Sequence, residues 1–206
     1  MPKLRAGPFL ALAIAATAAV ACAPKIHRFT VTPSHVCAGT PVTLDAKVTG
    51  TPTLTVDPPL SEQPGHVYVP QATTHFVISV KRWPTKKPKG SEAEVRVFPG
   101  GPDEVTAKVR CEGGTVSGTQ SRDPAEWDPR LQVTVVESGE DREVTVTHAG
   151  RTAHLTPQAP TTSAFEGTSP GGDWTISSPL RAGEACGSGT AVPANLNVSA
   201  EVRCGS

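Results

Sequence analysis

Aromatic side chains are scarce: five Phe, three Trp and one Tyr in 206 residues. A core must therefore be filled by Val, Ile, Leu and Ala. Thin cores in exported domains are commonly reinforced by disulfides. Helical periodicity is missing as well. No stretch keeps apolar residues at i, i+3, i+4 and i+7 over three turns, which excludes a helical bundle. The longest apolar run, Phe9 to Ala21, has 13 residues, and a bilayer-crossing helix needs roughly 20. Nineteen basic side chains balance nineteen acidic ones, so bulk charge offers nucleic acid no attraction and no such partner is expected. Neither a zinc-protease helix motif, a nucleophile elbow nor a phosphate loop is present.

What is there begins with the opening segment. Lys3 and Arg5 precede the short apolar run, and small residues close it at Ala19-Val20-Ala21. A basic start, a short apolar stretch and small residues at its end predict a cleaved secretory signal over residues 1–21. Ala19-Val20-Ala21-Cys22 resembles the bacterial lipobox, differing at Ala19, where Leu is usual. The resemblance implies cleavage before Cys22 and a diacylglycerol on its thiol. Cysteine arithmetic points the same way. The chain has Cys22, Cys37, Cys111, Cys186 and Cys204. An odd number leaves one thiol unpaired in an oxidising compartment, whereas lipidation of Cys22 leaves four for two bridges. The alternative is an ordinary signal and a soluble periplasmic or secreted protein with one spare thiol. Without residues 1–21, 185 residues remain, with 17 basic and 19 acidic side chains, a net charge of −2. Ala23 follows the cysteine. In the lipoproteins it resembles, a residue other than Asp there goes with sorting to the outer membrane.

Beyond the anchor segment 22–24, Val/Thr-rich runs alternate with Gly, Pro and Asp, the mark of a sandwich or barrel. The predicted fold class is all-β, two β-sandwich domains in tandem. The first block covers residues 25–99. Its clearest alternation is Val42-Thr43-Leu44-Asp45-Ala46-Lys47-Val48, with Val42, Leu44, Ala46 and Val48 on one face. Ile26-x-x-Phe29-x-Val31-x-Pro33, Val36-Cys37-Ala38-Gly39-Thr40-Pro41-Val42 and Val95-x-Val97-Phe98 resemble a bacterial immunoglobulin-like domain. The resemblance implies a scaffold and carries no activity of its own. Residues 100–102 read as a linker. The second block, 103–206, has expected strands at Glu104–Cys111, Leu131–Glu137, Glu143–His148, Thr152–Leu155, Asp173–Ser177 and Leu196–Cys204, with Gly113–Arg130 as a long polar loop. Leu131-Gln132-Val133-Thr134-Val135, Phe165-Glu166-Gly167 and Gly172-Asp173-Trp174-Thr175-Ile176 resemble the jelly-roll domains attached to some secreted proteases. Val105–Cys111 and Val198–Cys204 nearly match each other and read as the first and last strands of one domain.

This division leaves Cys37 alone in the first block, so two intramolecular bridges require it to cross to the second. The immunoglobulin-like pattern implies that the strand near Cys37 runs parallel to the last strand of that block, placing Cys37 near Phe98. If strands 104–111 and 196–204 are antiparallel neighbours, as in a closed jelly roll, Cys204 lies near Glu104 and the pairing is Cys37–Cys204 with Cys111–Cys186. If they are parallel, Cys111–Cys204 with Cys37–Cys186 fits better. A crossing bridge predicts one rigid unit.

Candidate sites for chemistry are few. Gly187-Ser188-Gly189 invites a serine nucleophile, but no specific base accompanies it. His148 and His154 can face each other across the turn at Ala149-Gly150-Arg151, though zinc takes three or four protein ligands. Asp123, Glu126 and Asp128 surround Trp127; calcium takes six or more oxygens, and a surface loop packed by Trp127 is expected. The most distinctive stretch is Lys81-Arg82-Trp83-Pro84-Thr85-Lys86-Lys87-Pro88-Lys89, five cations around one Trp. It can hold an anionic polymer or membrane headgroups, or serve as a solvated hairpin loop. No metal and no cofactor are expected. The composite expectation is a non-catalytic cell-envelope lipoprotein that binds or assembles with another envelope protein or an anionic surface polymer. The alternatives are a small envelope hydrolase, an accessory domain of one, or a protease inhibitor.

Overall fold

Alternating side chains decide which face of each strand is buried, and the clearest case is Val42–Thr49. In the computed structural model, which describes residues 23–81, 89–187 and 192–205, Val42 and Leu44 are buried while Thr43 and Asp45 are exposed. The buried face runs out at Ala46, which is exposed, so the strand leaves the core toward its C-terminal end. The chain is all-β. Its described residues contain no α-helix, and no helix there is long and apolar enough to cross a membrane.

Among the described residues seven strands precede Pro99: β1 (Lys25–Thr32), β2 (His35–Cys37), β3 (Val42–Thr49), β4 (Pro52–Asp57), β5 (Val67–Tyr68), β6 (Thr74–Val80) and β7 (Lys89–Phe98). They form two sheets, ordered β1-β3-β5 and β2-β7-β6-β4. β2 pairs in parallel with β7, placing Cys37 opposite Phe98; the other pairs are antiparallel. A core of Val31, Val36, Val42, Leu44, Tyr68, Phe76, Val95 and Val97 lies between the sheets. Tyr68 meets Phe76 edge-on at 5.2 Å between ring centroids, the arrangement that aromatic quadrupoles favour.

Nine strands follow among the described residues: β8 (Gly101–Lys108), β9 (Arg110–Glu112), β10 (Thr115–Arg122), β11 (Leu131–Ser138), β12 (Val144–His148), β13 (Arg151–Leu155), β14 (Thr161–Thr162), β15 (Gly172–Pro179) and β16 (Asn195–Cys204). They form the sheets β14-β11-β16-β8 and β13-β12-β15-β10-β9, antiparallel throughout. β8 and β16, the two near-identical stretches, pair with Val105 opposite Val198. The core between these sheets is mostly Val, Leu and Ile, with Phe165 and Trp174 as its large members. As the scarcity of aromatics requires, aliphatic side chains fill it.

Three sequence expectations change. Gly113–Arg130 is not one loop, because β10 occupies Thr115–Arg122. Apart from Val116 its residues are small or polar, so alternation gives no signal; pairing with β15 and β9 on either side holds it. The expected strand Glu104–Cys111 is two strands in different sheets. β8 begins at Gly101, which shortens the expected linker, and the chain changes sheets at Val109. Third, the histidines do not face each other: His148 pairs with Arg151 and His154 with Thr145. His148 shares the face of Val144 and Val146 and is buried, its ring stacked on Trp174 at 3.8 Å. His148 Nδ1 and Nε2 lie 3.0 and 2.7 Å from the carbonyl oxygens of Asp173 and Ser169. His154 points outward and shares a hydrogen bond with the Thr145 hydroxyl, 2.9 Å.

The change of sheets depends on Gly118. A Cβ there would stand 2.3 Å from the Lys108 carbonyl oxygen and 3.2 Å from the Val109 Cα. Both are backbone atoms, so neither can rotate away. Gly118→Ala is expected to cost about 1–3 kcal/mol. The check is a urea denaturation curve, with Ser117→Ala as an exposed control expected to stay within about 0.5 kcal/mol of the parent.

Candidate functional site

Two disulfides join described residues, and one of them sits at the connection Pro99-Gly100. Cys37 bonds Cys204 with 5.8 Å between α-carbons, and Cys111 bonds Cys186 with 5.3 Å. The first follows from strand placement. β2 delivers Cys37 opposite Phe98, and β16 ends beside the same residue, with Cys204 Sγ 3.3 Å from the Phe98 carbonyl oxygen. The register differs in detail from expectation: Glu104 faces Ser199 and Gly101 faces Val202, because β8 starts three residues early. Cys186 is set by the turn before it. The guanidinium of buried Arg142 donates to Glu184 at 2.9 and 3.2 Å and to the Pro179 carbonyl at 2.7 Å, two short steps from the bridge.

Around Cys37–Cys204 the two halves share a polar and aromatic seam. The segment Glu126–Asp128 follows a short 3₁₀ turn, Pro124–Glu126, whose cap is the Asp123 carboxylate accepting from the Ala125 N–H at 2.9 Å. It then runs beside Ser34–Cys37. Ser34 N–H donates to the Glu126 carbonyl at 3.0 Å, and Asp128 N–H donates to the His35 carbonyl at 2.8 Å. Trp127 stacks on His35 at 4.1 Å and leans on Phe98. Asp128 is 1% exposed. Its carboxylate accepts from the Cys37 N–H at 3.1 Å, from the Thr40 hydroxyl, and from the Arg130 backbone and guanidinium. Burial by itself would raise the Asp128 pKa. The donors from Arg130 and Thr40 and the N–H groups of Arg130 and Cys37 outweigh it, and the carboxyl is held at about 2.

Beside the seam lies an open cleft of about 410 Å³, bordered by His35, Asp103, Gln120, Arg122, Glu126 and Trp127. At its floor the nearly buried Arg122 and Asp103 form an ion pair, and Arg122 donates to the Glu104 carbonyl at 2.5 Å. Arg96 stands 3.7 Å from the same carboxylate. The Arg122 guanidinium lies over the Trp127 ring at 5.4 Å. Burial lowers the His35 pKa, with Asp103 opposing it. Ser34 Oγ and His35 Nδ1 are 3.1 Å apart, but among the described residues no carboxylate bonds the other ring nitrogen. The ion pair at the floor of the cleft joins Asp103 of β8 to Arg122 of β10, and its geometry suits holding two sheets in place.

The carboxylates around Trp127 separate. Asp123 caps a turn and Asp128 is consumed by the seam, and among the described residues no cluster of three His, Cys, Asp or Glu side chains is placed to hold a metal. Trp127 packs the seam rather than a surface loop. Of the basic stretch, Lys81 and Lys89 are exposed at the ends of β6 and β7; Arg82, Trp83, Lys86 and Lys87 lie outside the described residues, as do Cys22, the expected signal 1–21 and Ser188. The outer face of the β13-β12-β15-β10-β9 sheet carries hydroxyls in rows, Thr119 on Thr175 and Thr147 on Thr152, each pair bonded at 3.0 Å. Those pairs satisfy one another.

Thr40, His35 and Arg122 are the residues that sequence reasoning missed, and Asp128, singled out beside Trp127, has a different role, accepting from Cys37 and Thr40. Thr40 and Asp128 are 88 positions apart, and no local pattern joins them; the lone Cys37 was the one signal that this region meets the second half. No protein family, curated protein or solved structure matches the chain.

Proposed function

We propose that this chain is a cell-envelope lipoprotein, acylated on Cys22 after loss of residues 1–21, that works as a non-catalytic binding or assembly module. An immunoglobulin-like sandwich nearest the anchor would carry a jelly-roll sandwich beyond it. Strand order supports both names. β2 runs parallel to β7 at the edge of one sheet, as the first strand of an immunoglobulin-like domain does beside its last. β8-β16-β11-β14 against β10-β15-β12-β13 is the order of two interlocked Greek keys.

The observation that carries the reading is the seam. A disulfide, a buried carboxylate and a stacked Trp–His pair fasten the two halves where a domain-closing enzyme would keep a hinge. Two bridges using four cysteines leave Cys22 as the odd one, the position that the lipobox-like residues single out.

Detergent-phase partition tests the anchor. Expressed in a bacterium that lipidates exported proteins, the chain is expected in the detergent phase and its Cys22→Ser variant in the aqueous phase. Equal partition of the two would remove the lipoprotein reading.

A further inference from the structure

The strand registers collect one end of the N-terminal sheets into a single surface. Lys25 opens β1 opposite Thr49, the last residue of β3. Gly50 follows with its α-carbon against the Pro24 ring, so close that a Cβ there would lie 3.1 Å from Pro24 Cβ. Thr51 leads into Pro52 of β4, which faces Val80 of β6. Val80 in turn faces Lys89 of β7. Paired strands stand about 4.8 Å apart, and three residues span at most about 11 Å. Pro24, Lys25, Lys81 and Lys89 therefore share one end of the sheets.

Charge at this end has one sign. Lys25, Lys81 and Lys89 are exposed, and Lys47 stands exposed just behind them on β3. Residues 23–27, 47–54, 78–81 and 89–91 contain no Asp or Glu. The nearest acids are already set back: Asp45 is paired with Arg28, and Glu92 stands three residues along β7, about 10 Å away. The opposite end, where Thr32 and Phe98 finish β1 and β7, enters the seam. Eight residues of β1 separate the two ends, about 26 Å.

We infer that this basic end is a second membrane contact, docking on anionic lipid headgroups beside the Cys22 anchor. Its orientation toward a membrane rests on the lipoprotein reading, since only two residues, Ala23 and Pro24, separate Cys22 from the start of β1. Charge complementarity selects the partner. Lysines on the first strand and on both flanks of the β6–β7 connection stand at the end of the sheets where β1 begins. A polybasic patch is the usual companion of a lipid that must hold a protein against a surface, and each lysine near an anionic leaflet strengthens binding about fivefold. The docked protein stands with its seam and second half pointing away from the bilayer.

The test uses the full-length Cys22→Ser chain, which cannot take the acyl group, collected from the soluble exported fraction. Binding is measured by sedimentation with vesicles of 30 mol% phosphatidylglycerol in phosphatidylcholine and with phosphatidylcholine alone. Expected are binding to the anionic vesicles only, a loss of about a hundredfold on replacing Lys25, Lys81 and Lys89 together by Gln, and no change for Lys108→Gln in the second half. Binding should also weaken between 0.05 and 0.5 M salt. Equal binding of the triple variant, or equal binding to both vesicles, would overturn the proposal. Lysine-dependent binding to dextran sulfate with none to vesicles would overturn it too and give the surface to a polymer. Because these vesicle experiments need no acyl group, they can succeed where the detergent partition fails, or fail where it succeeds.

Discussion

Replacing Cys37 and Cys204 together by Ala is expected to cost roughly 4 kcal/mol of stability and to open the seam. The bridge spans 167 residues, and closing so long a loop removes about 5 kcal/mol of chain entropy from the unfolded state in the loop-closure view. Some of that is offset, because the unfolded chain is not a free coil. Removing both cysteines together avoids a stray thiol. The second bridge closes 75 residues and has a similar entropic worth, about 4.5 kcal/mol, but it lies within the second half. The two losses should therefore differ in kind. Without Cys37–Cys204, the connection at Pro99-Gly100 should become a site of limited proteolysis; without Cys111–Cys186, it should stay protected. Urea denaturation measures the first difference and mass mapping of protease cuts the second. Unchanged protection after loss of Cys37–Cys204 would mean that the seam's side chains suffice by themselves.

Those side chains have their own expected signature, centred on Asp128. Asp128→Ala leaves the buried Cys37 N–H and the Thr40 hydroxyl without their acceptor, and it should cost about 3 kcal/mol. The pH dependence separates charge from packing. The Asp128 carboxyl is held at about 2 in the folded protein, against about 3.9 in an unfolded chain. A depressed folded pKa means that the contribution is complete above pH 3.9 and disappears as pH falls through 2. Its size is about 2–3 kcal/mol. Glu62 and Glu184 are also lowered, by hydrogen bonds from His66 and, for Glu184, from the Arg181 N–H and Arg142, so the whole protein should lose stability in acid. Subtracting the Asp128→Asn curve from the parent's isolates the seam: the difference should shrink between pH 4 and pH 2. A constant difference across that window would show that the carboxylate's charge adds nothing beyond its shape.

How much of this was legible in the residues depends on the distance over which each signal acts. Val42-x-Leu44 and Val144-x-Val146 announce strands because alternation is local, and both are strands with those residues buried. The same alternation reaches His148 and would have placed it inside; reading it as a possible ligand overlooked its shared face with Val144. Cysteine counting carried further, since one cysteine in the first block and three in the second force a crossing. Choosing among pairings needed strand directions, which the family resemblances implied. β10 escaped because its polar residues carry no period and its place is fixed by neighbours sixty residues away in β15. The seam escaped for the same reason. His35, Thr40, Arg122 and Asp128 have meaning only together, and their hydrogen-bond partners are set by how two separately formed sheets meet. The basic stretch was visible at once as a charge run, but that its described ends, Lys81 and Lys89, share an end of the sheets with Lys25 needed the registers of β1, β3, β4, β6 and β7.

The fate of Cys22 decides whether the basic end, the seam and the outer sandwich form one membrane-mounted module. Mass spectrometry of the N-terminal tryptic peptide from the membrane fraction reads it directly. The expected peptide is Cys22-Ala23-Pro24-Lys25 carrying a diacylglyceryl group on sulfur. The same peptide with a free thiol, or a mature chain beginning at another residue, would contradict the account.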